Sequence, residues 1–106
     1  MNLDRWNQNN PISTPAVQKL YLPEAHYTVR TANFPRHAKF EGSFLTGADV
    51  FVLSGQIRYK QGAESATLNA GDILKLTKGP YEAEVVGADT ANVIMVHQLP
   101  EALWPK

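Results

Sequence analysis

VFVLSGQIRYKQG, residues 50–62, is the stretch on which the fold turns. In an extended chain Phe51 and Leu53 fall on one face and Val50 and Val52 on the other, so a strand here is apolar on both sides. Such strands are buried from both faces. Ser54-Gly55 breaks the run, and glycine takes a positive φ at a tight corner without steric cost. Gln56–Lys60 then alternates, with Ile57 and Tyr59 opposite Arg58 and Lys60, the pattern of a strand with one face in the core. Gly62 marks a further turn. Read locally, the stretch predicts a hairpin closed at Ser54-Gly55.

The same texture extends outward from it. HYTVRTA, HAKFEGSF, SATL, ILKL, YEAEVV and ANVIMVHQL read as further strands. The last is long and mostly apolar, as suits a central strand. Glycines at 42, 47, 55, 62, 71, 79 and 87 punctuate the chain about every eight residues, the spacing of an all-β sandwich or small barrel. Residues 1–25 differ. NQNNPISTP is polar and broken by Pro11 and Pro15, with Trp6 as the one large anchor. The organisation expected is an irregular N-terminal arm or cover strand at 1–25, a β-barrel at 26–100 and a tail at 101–106 that docks back through Leu103 and Trp104.

Composition bounds the function. The chain has 106 residues, enough for one modest core. Ten basic and ten acidic residues give no basic surplus for nucleic acid or a membrane surface. The absence of cysteine excludes disulfides, thiolate metal sites and Cys nucleophiles. No apolar run reaches the length of a bilayer span, and no signal-peptide pattern opens the sequence; a cytoplasmic location is the expectation. There is no Gly-x-Ser-x-Gly elbow and no phosphate-cradling glycine loop before a helix.

Two spaced signatures together resemble the cupin superfamily. The first is Asp49 followed by Val52-Leu53-Ser54-Gly55 and the alternating Gln56–Lys60. The second is Leu68, Gly71-Asp72, Ile73-Leu74 and the turn Lys78-Gly79-Pro80 leading into Tyr81. The likeness covers roughly residues 35–98 and implies an all-β, double-stranded β-helix (jelly-roll) barrel. It also implies where a metal would be held. Metal-binding cupins present a His-x-His pair and a Glu before the first glycine turn, and a further His after the second. Counted back from Gly55, those places hold Glu41, Ser43 and Ala48, with Asp49 standing for the Glu if the strand is one residue shorter. After the second turn the place falls on Glu82, or on Tyr81 if the turn is one residue shorter. The latter register points the apolar face inward and is preferred. No histidine stands at any of them, so the usual metal set is absent and a divalent metal would need a divergent one.

Five side chains remain as pocket candidates: His37, Glu41, Asp49, Tyr81 and His97. Each has a plainer alternative. His37 lies in a region where some cupins carry a ligand histidine, but Lys39 stands two residues on and would repel a cation; a surface His at a strand start is the alternative. Glu41 is either a pocket carboxylate or an exposed strand residue, and Asp49 either lines the pocket or caps the TGAD turn. Tyr81 either offers a hydroxyl to a ligand or packs in the core. His97 is in phase with Val93 and Met95 and either faces the barrel mouth or sits at a partly exposed strand end. The expectation is a domain that binds a small organic molecule without the usual His-based metal site. The alternative is a divergent enzyme, either a metal-dependent oxygenase or isomerase or a metal-free His/Tyr acid–base catalyst of the epimerase type. A third requirement is structural. The outer apolar face of DVFVLS needs a cover, which the Trp6 arm could supply within one chain or across a homodimer.

Overall fold

The computed structural model describes residues 1–105. Among the described residues nine strands run in chain order: β1 (Asn2–Arg5), β2 (Tyr27–Phe34), β3 (Lys39–Phe44), β4 (Ala48–Ser54), β5 (Ile57–Gln61), β6 (Glu64–Leu68), β7 (Asp72–Leu76), β8 (Gly79–Val85) and β9 (Ala91–Gln98). They form a five-stranded sheet, β1-β7-β4-β9-β2, and a four-stranded sheet, β3-β8-β5-β6, in which every pairing is antiparallel. This is the jelly-roll architecture expected. No helix among the described residues is long and apolar enough to cross a membrane.

VFVLSGQIRYKQG, however, is not a hairpin. β4 pairs with β7 and β9, β5 with β6 and β8, and the two never pair with each other. The chain passes from one sheet to the other at Ser54-Gly55. A register shift between Val52 and Ser54 bends the end of β4, the ordinary effect of a bulge. Gly55, at φ +82°, then runs hard against the start of β9; a Cβ there would lie 2.5 Å from the Thr90 carbonyl oxygen and 2.7 Å from Ala91 Cα. The corner needs glycine both for its backbone angle and for want of space. The true hairpin is the next one, β5–β6, closed by Gly62-Ala63 between Gln61 and Glu64.

Two apolar cores result. Between the sheets lie Phe44, Val50, Val52, Ile57, Tyr59, Leu68, Leu74, Ala83, Val85, Val93 and Met95. On the outer face of the five-stranded sheet Phe51, Ile94 and Val96 are covered by Val17, Trp6, Ile12 and Tyr21. The arm therefore shields the second face of β4 within the same chain. It is also more regular than the sequence suggests. Its first residues add β1 to the sheet edge, and Thr14–Gln18 form a short helix, α1, capped by Ser13, whose hydroxyl accepts the Ala16 N–H at 3.2 Å. Trp6 meets Phe51 edge-on at 6.0 Å, and Tyr21 Oη donates to Asp49 Oδ2 at 2.5 Å. The Asn69–Asp72 turn ties arm to barrel: Asp72, buried, accepts from Asn69 N–H at 2.8 Å and from Arg5 Nη1 at 2.7 Å. In the tail Trp104 stacks on His26 at 4.0 Å, whereas Leu103 stays exposed.

Candidate functional site

Strand alternation decides what faces the interior. On β9, Ala91, Val93 and Met95 are core residues, so His97 at the strand end continues the same phase. On β8 the inward set is Tyr81, Ala83 and Val85, and on β3 it is Phe40, Gly42 and Phe44. The Tyr81 register inferred from the sequence is thus the one adopted. Tyr81 and His97 both meet Phe44, the tyrosine stacked at a ring separation of 4.3 Å and the histidine tilted at 5.4 Å. Tyr59 lies 6.0 Å from Tyr81, and Phe40 meets Tyr81 edge-on at 6.4 Å.

Gly42 makes room for this cluster. A Cβ on it would lie 3.0 Å from the Tyr81 ring and hydroxyl, so the ring rests across the bare backbone of β3. Opposite β9, the register pairs Thr28 with His97 and Arg30 with Met95. Thr28 and Arg30 therefore share the inward phase of β2 with Ala32 and Phe34, which pack on the core. Tyr27 and Val29, in the opposite phase of the same strand, belong to the covered outer face. The alternation of YTVRTANF contained the signal, but both of its phases hold apolar residues.

Electrostatics give each polar group a definite form. Burial, with Arg30 nearby, lowers the His97 pKa below its ordinary value, so the imidazole is neutral at pH 7 and free to accept a proton or hydrogen bond. Burial raises the pKa of Tyr81 and of Tyr59, so both phenols are donors at neutral pH. The Tyr59 hydroxyl is buried and has no hydrogen-bond partner among the described residues.

The remaining candidates lie elsewhere. His37 is exposed in the β2–β3 turn at φ 67°, a left-handed conformation. Glu41 alternates with Phe40 and Gly42 and so points out of the barrel. Asp49 alternates with Ala48 and Val50; its carboxylate meets Tyr21 on the arm side. Of the five, only Tyr81 and His97 share the interior. The set implied for a metal does not fit either: Glu41 and Ser43 face outward, and no three His, Asp, Glu or Cys side chains among the described residues are grouped to hold an ion.

A concavity lies outside the barrel. Lys39, Arg58 and Glu84 line an open groove of about 560 Å³ on the outer face of the four-stranded sheet, together with Glu41, Lys60 and Glu82. Glu84 is held below the usual carboxylate range, first by its hydrogen bond to Lys39 and then by Arg58, and bonds both cations. That row is internally neutralised.

No family model matches the sequence, and no curated protein matches it. Solved structures do. A cupin superfamily protein of Desulfitobacterium hafniense aligns with 12% identity over 94% of this chain and 100% of its own, at a TM-score of 0.59. The cupin domain of Schizosaccharomyces pombe Cnp3 aligns with 12% identity over 77% of this chain and 62% of its own, at 0.65. The Clostridium difficile EutQ protein aligns with 16% identity over 76% of this chain and 64% of its own, at 0.61. The likeness also reaches Fe(II) HppE in complex with its substrate, at 18% identity and a TM-score of 0.60, where the chain covers 45% of that protein. The chain spans well under the full length of several of these structures. Two antiparallel sheets around an apolar interior define a jelly roll, and these likenesses make it the cupin fold.

Proposed function

We propose that this is a metal-independent binding domain that takes a small organic molecule at the barrel end where Phe44, Tyr81 and His97 meet. The observation that carries the reading is the convergence of a neutral imidazole and a protonated phenol on one buried aromatic ring, at 5.4 and 4.3 Å. Stacked rings provide an apolar platform, while a few polar groups give orientation, the usual make-up of a small-molecule site. In this reading the ligand lies on the platform at the barrel end, where His97 closes β9. A second reading has its own support. His97 and Tyr81 both meet Phe44, so the same pair would supply the base and acid of a metal-free proton transfer, with Tyr81 a weak acid because burial raises its pKa.

The test is backbone NMR of the full chain titrated with a library of small polar and aromatic molecules. Binding at the mouth shifts Thr28, Gly42, Phe44, Tyr81 and His97. Shifts confined to Lys39, Arg58 and Glu84 would move the site to the outer groove and overturn the proposal. Isotope exchange at a carbon-bound proton of the bound molecule, lost in His97→Gln, would favour the catalytic reading over simple binding.

A further inference from the structure

We infer that the mouth selects an anionic ligand, a carboxylate on a flat apolar body, with Arg30 as the residue that holds the charge. The inference rests on the mouth being the binding site and adds its ligand class. Arg30 leaves β2 from the inward face: it is paired with Met95, a core residue, and flanked in the same phase by Thr28, itself paired with His97. β2 is the edge strand of its sheet, and β3, which carries Gly42 and Phe44, is the edge strand of the other. Arg30 therefore stands at the seam between the sheets, beside the aromatic platform and open to solvent.

The guanidinium is uncommitted. Among the described residues Arg30 makes no ion pair and no side-chain hydrogen bond, whereas Arg5 bonds Asp72 and Arg58 bonds Glu84. No acidic side chain occupies the inward phase of β2, β3, β8 or β9. On β3 and β8, Glu41 and Glu82 alternate with the inward residues, and where they share a concavity with Gly42 and Tyr81 the cation Lys60 lines it too. An unpaired cation beside an apolar surface favours an anion whose remaining atoms can cover that surface. One monocation beside a neutral imidazole matches a singly charged carboxylate better than a doubly charged phosphate. The guanidinium bonds both oxygens of such a group in one plane, while the Thr28 and Tyr81 hydroxyls are donors within the same mouth.

Two probes with the same phenyl body separate the claims: benzoate, and neutral benzyl alcohol, each titrated by NMR into wild type and Arg30→Gln at fixed pH and ionic strength. The expected result is that benzoate binds wild type at least tenfold more tightly than benzyl alcohol, and that Arg30→Gln removes most of that preference while leaving the alcohol unchanged. Arg30→Lys should restore part of it. If both probes shift Phe44, Tyr81 and His97 equally, and Arg30→Gln alters neither, the anion preference is wrong while the mouth remains a site. If neither probe perturbs the mouth, the site itself fails, and the inference with it. Arg30 is exposed, so its replacement leaves the fold intact, which the unchanged spectrum of the unliganded variant verifies.

Discussion

His97 and Tyr59 carry the sharpest predictions at the scale of single residues. Burial lowers the His97 pKa from its ordinary 6.5, so the unfolded chain takes up this proton at a higher pH than the folded one. The stability associated with the neutral ring is fully present above about pH 6.5 and is lost as the pH falls from there toward the folded value. Urea midpoints measured at pH 7.5 and pH 5.5 should fall further for wild type than for His97→Gln; equal falls would mean that the imidazole is not buried as described. Tyr59 presents the opposite situation, a buried hydroxyl with nothing to bond. Removing an unsatisfied polar atom while keeping the ring should leave stability unchanged or raise it by up to about 1 kcal/mol. Chemical denaturation of Tyr59→Phe measures this, and a clear loss would show that a partner, such as a held water, satisfies the group.

At the scale of elements, the two glycine turns of VFVLSGQIRYKQG should respond very differently. Gly55 and Gly62 both have positive φ, but a Cβ on Gly55 strikes the Thr90 carbonyl and one on Gly62 meets nothing within 4 Å. Gly62→Ala should cost about 1 kcal/mol, the strain of a left-handed alanine in a hairpin turn. Gly55→Ala adds a backbone clash at the crossing between sheets and should cost about 2–4 kcal/mol. Equilibrium unfolding of both variants decides, and equal costs would mean that the corner relaxes freely. A strand, a glycine and a second strand look the same in sequence whether the strands pair or part, because the turn residue reports backbone angle and not the strand's eventual neighbours.

For the whole molecule, the arm is the decisive feature. Phe51, Ile94 and Val96 form an apolar outer face closed by Val17, Trp6, Ile12 and Tyr21. Removal of residues 1–21 should uncover it and lead to self-association in sedimentation together with reduced thermal stability. A truncated chain that remains monomeric and equally stable would show that the cover is dispensable. Asp49 belongs to this level too. Its hydrogen bond to Tyr21 and that residue's contact with Phe51 at 6.2 Å make it a fastening for the arm, so a carboxylate weighed as a pocket group from sequence is engaged on the opposite face.

Much of this was written in the order of residues. Period-two alternation in Gln56–Lys60, in YEAEVV and in ANVIMVHQL set which side chains share a face, and glycine spacing set where strands end, because both depend only on local backbone geometry. That sufficed for an all-β sandwich or small barrel, for the inward register of Tyr81 and for the place of His97 in line with Val93 and Met95, while the jelly roll itself came from the resemblance of the two glycine signatures to cupins. What alternation cannot do is say which face becomes the interior when both are apolar, as on β2, β4 and β9. That choice was made by long-range partners: the arm covered one face of β4 and β9, which left Asp49 outside, and the antiparallel pairing of β2 with β9 brought Arg30 and Thr28 beside His97. The proposed site is assembled from strands distant in the chain, and only the closing of one sheet over the other places its side chains together.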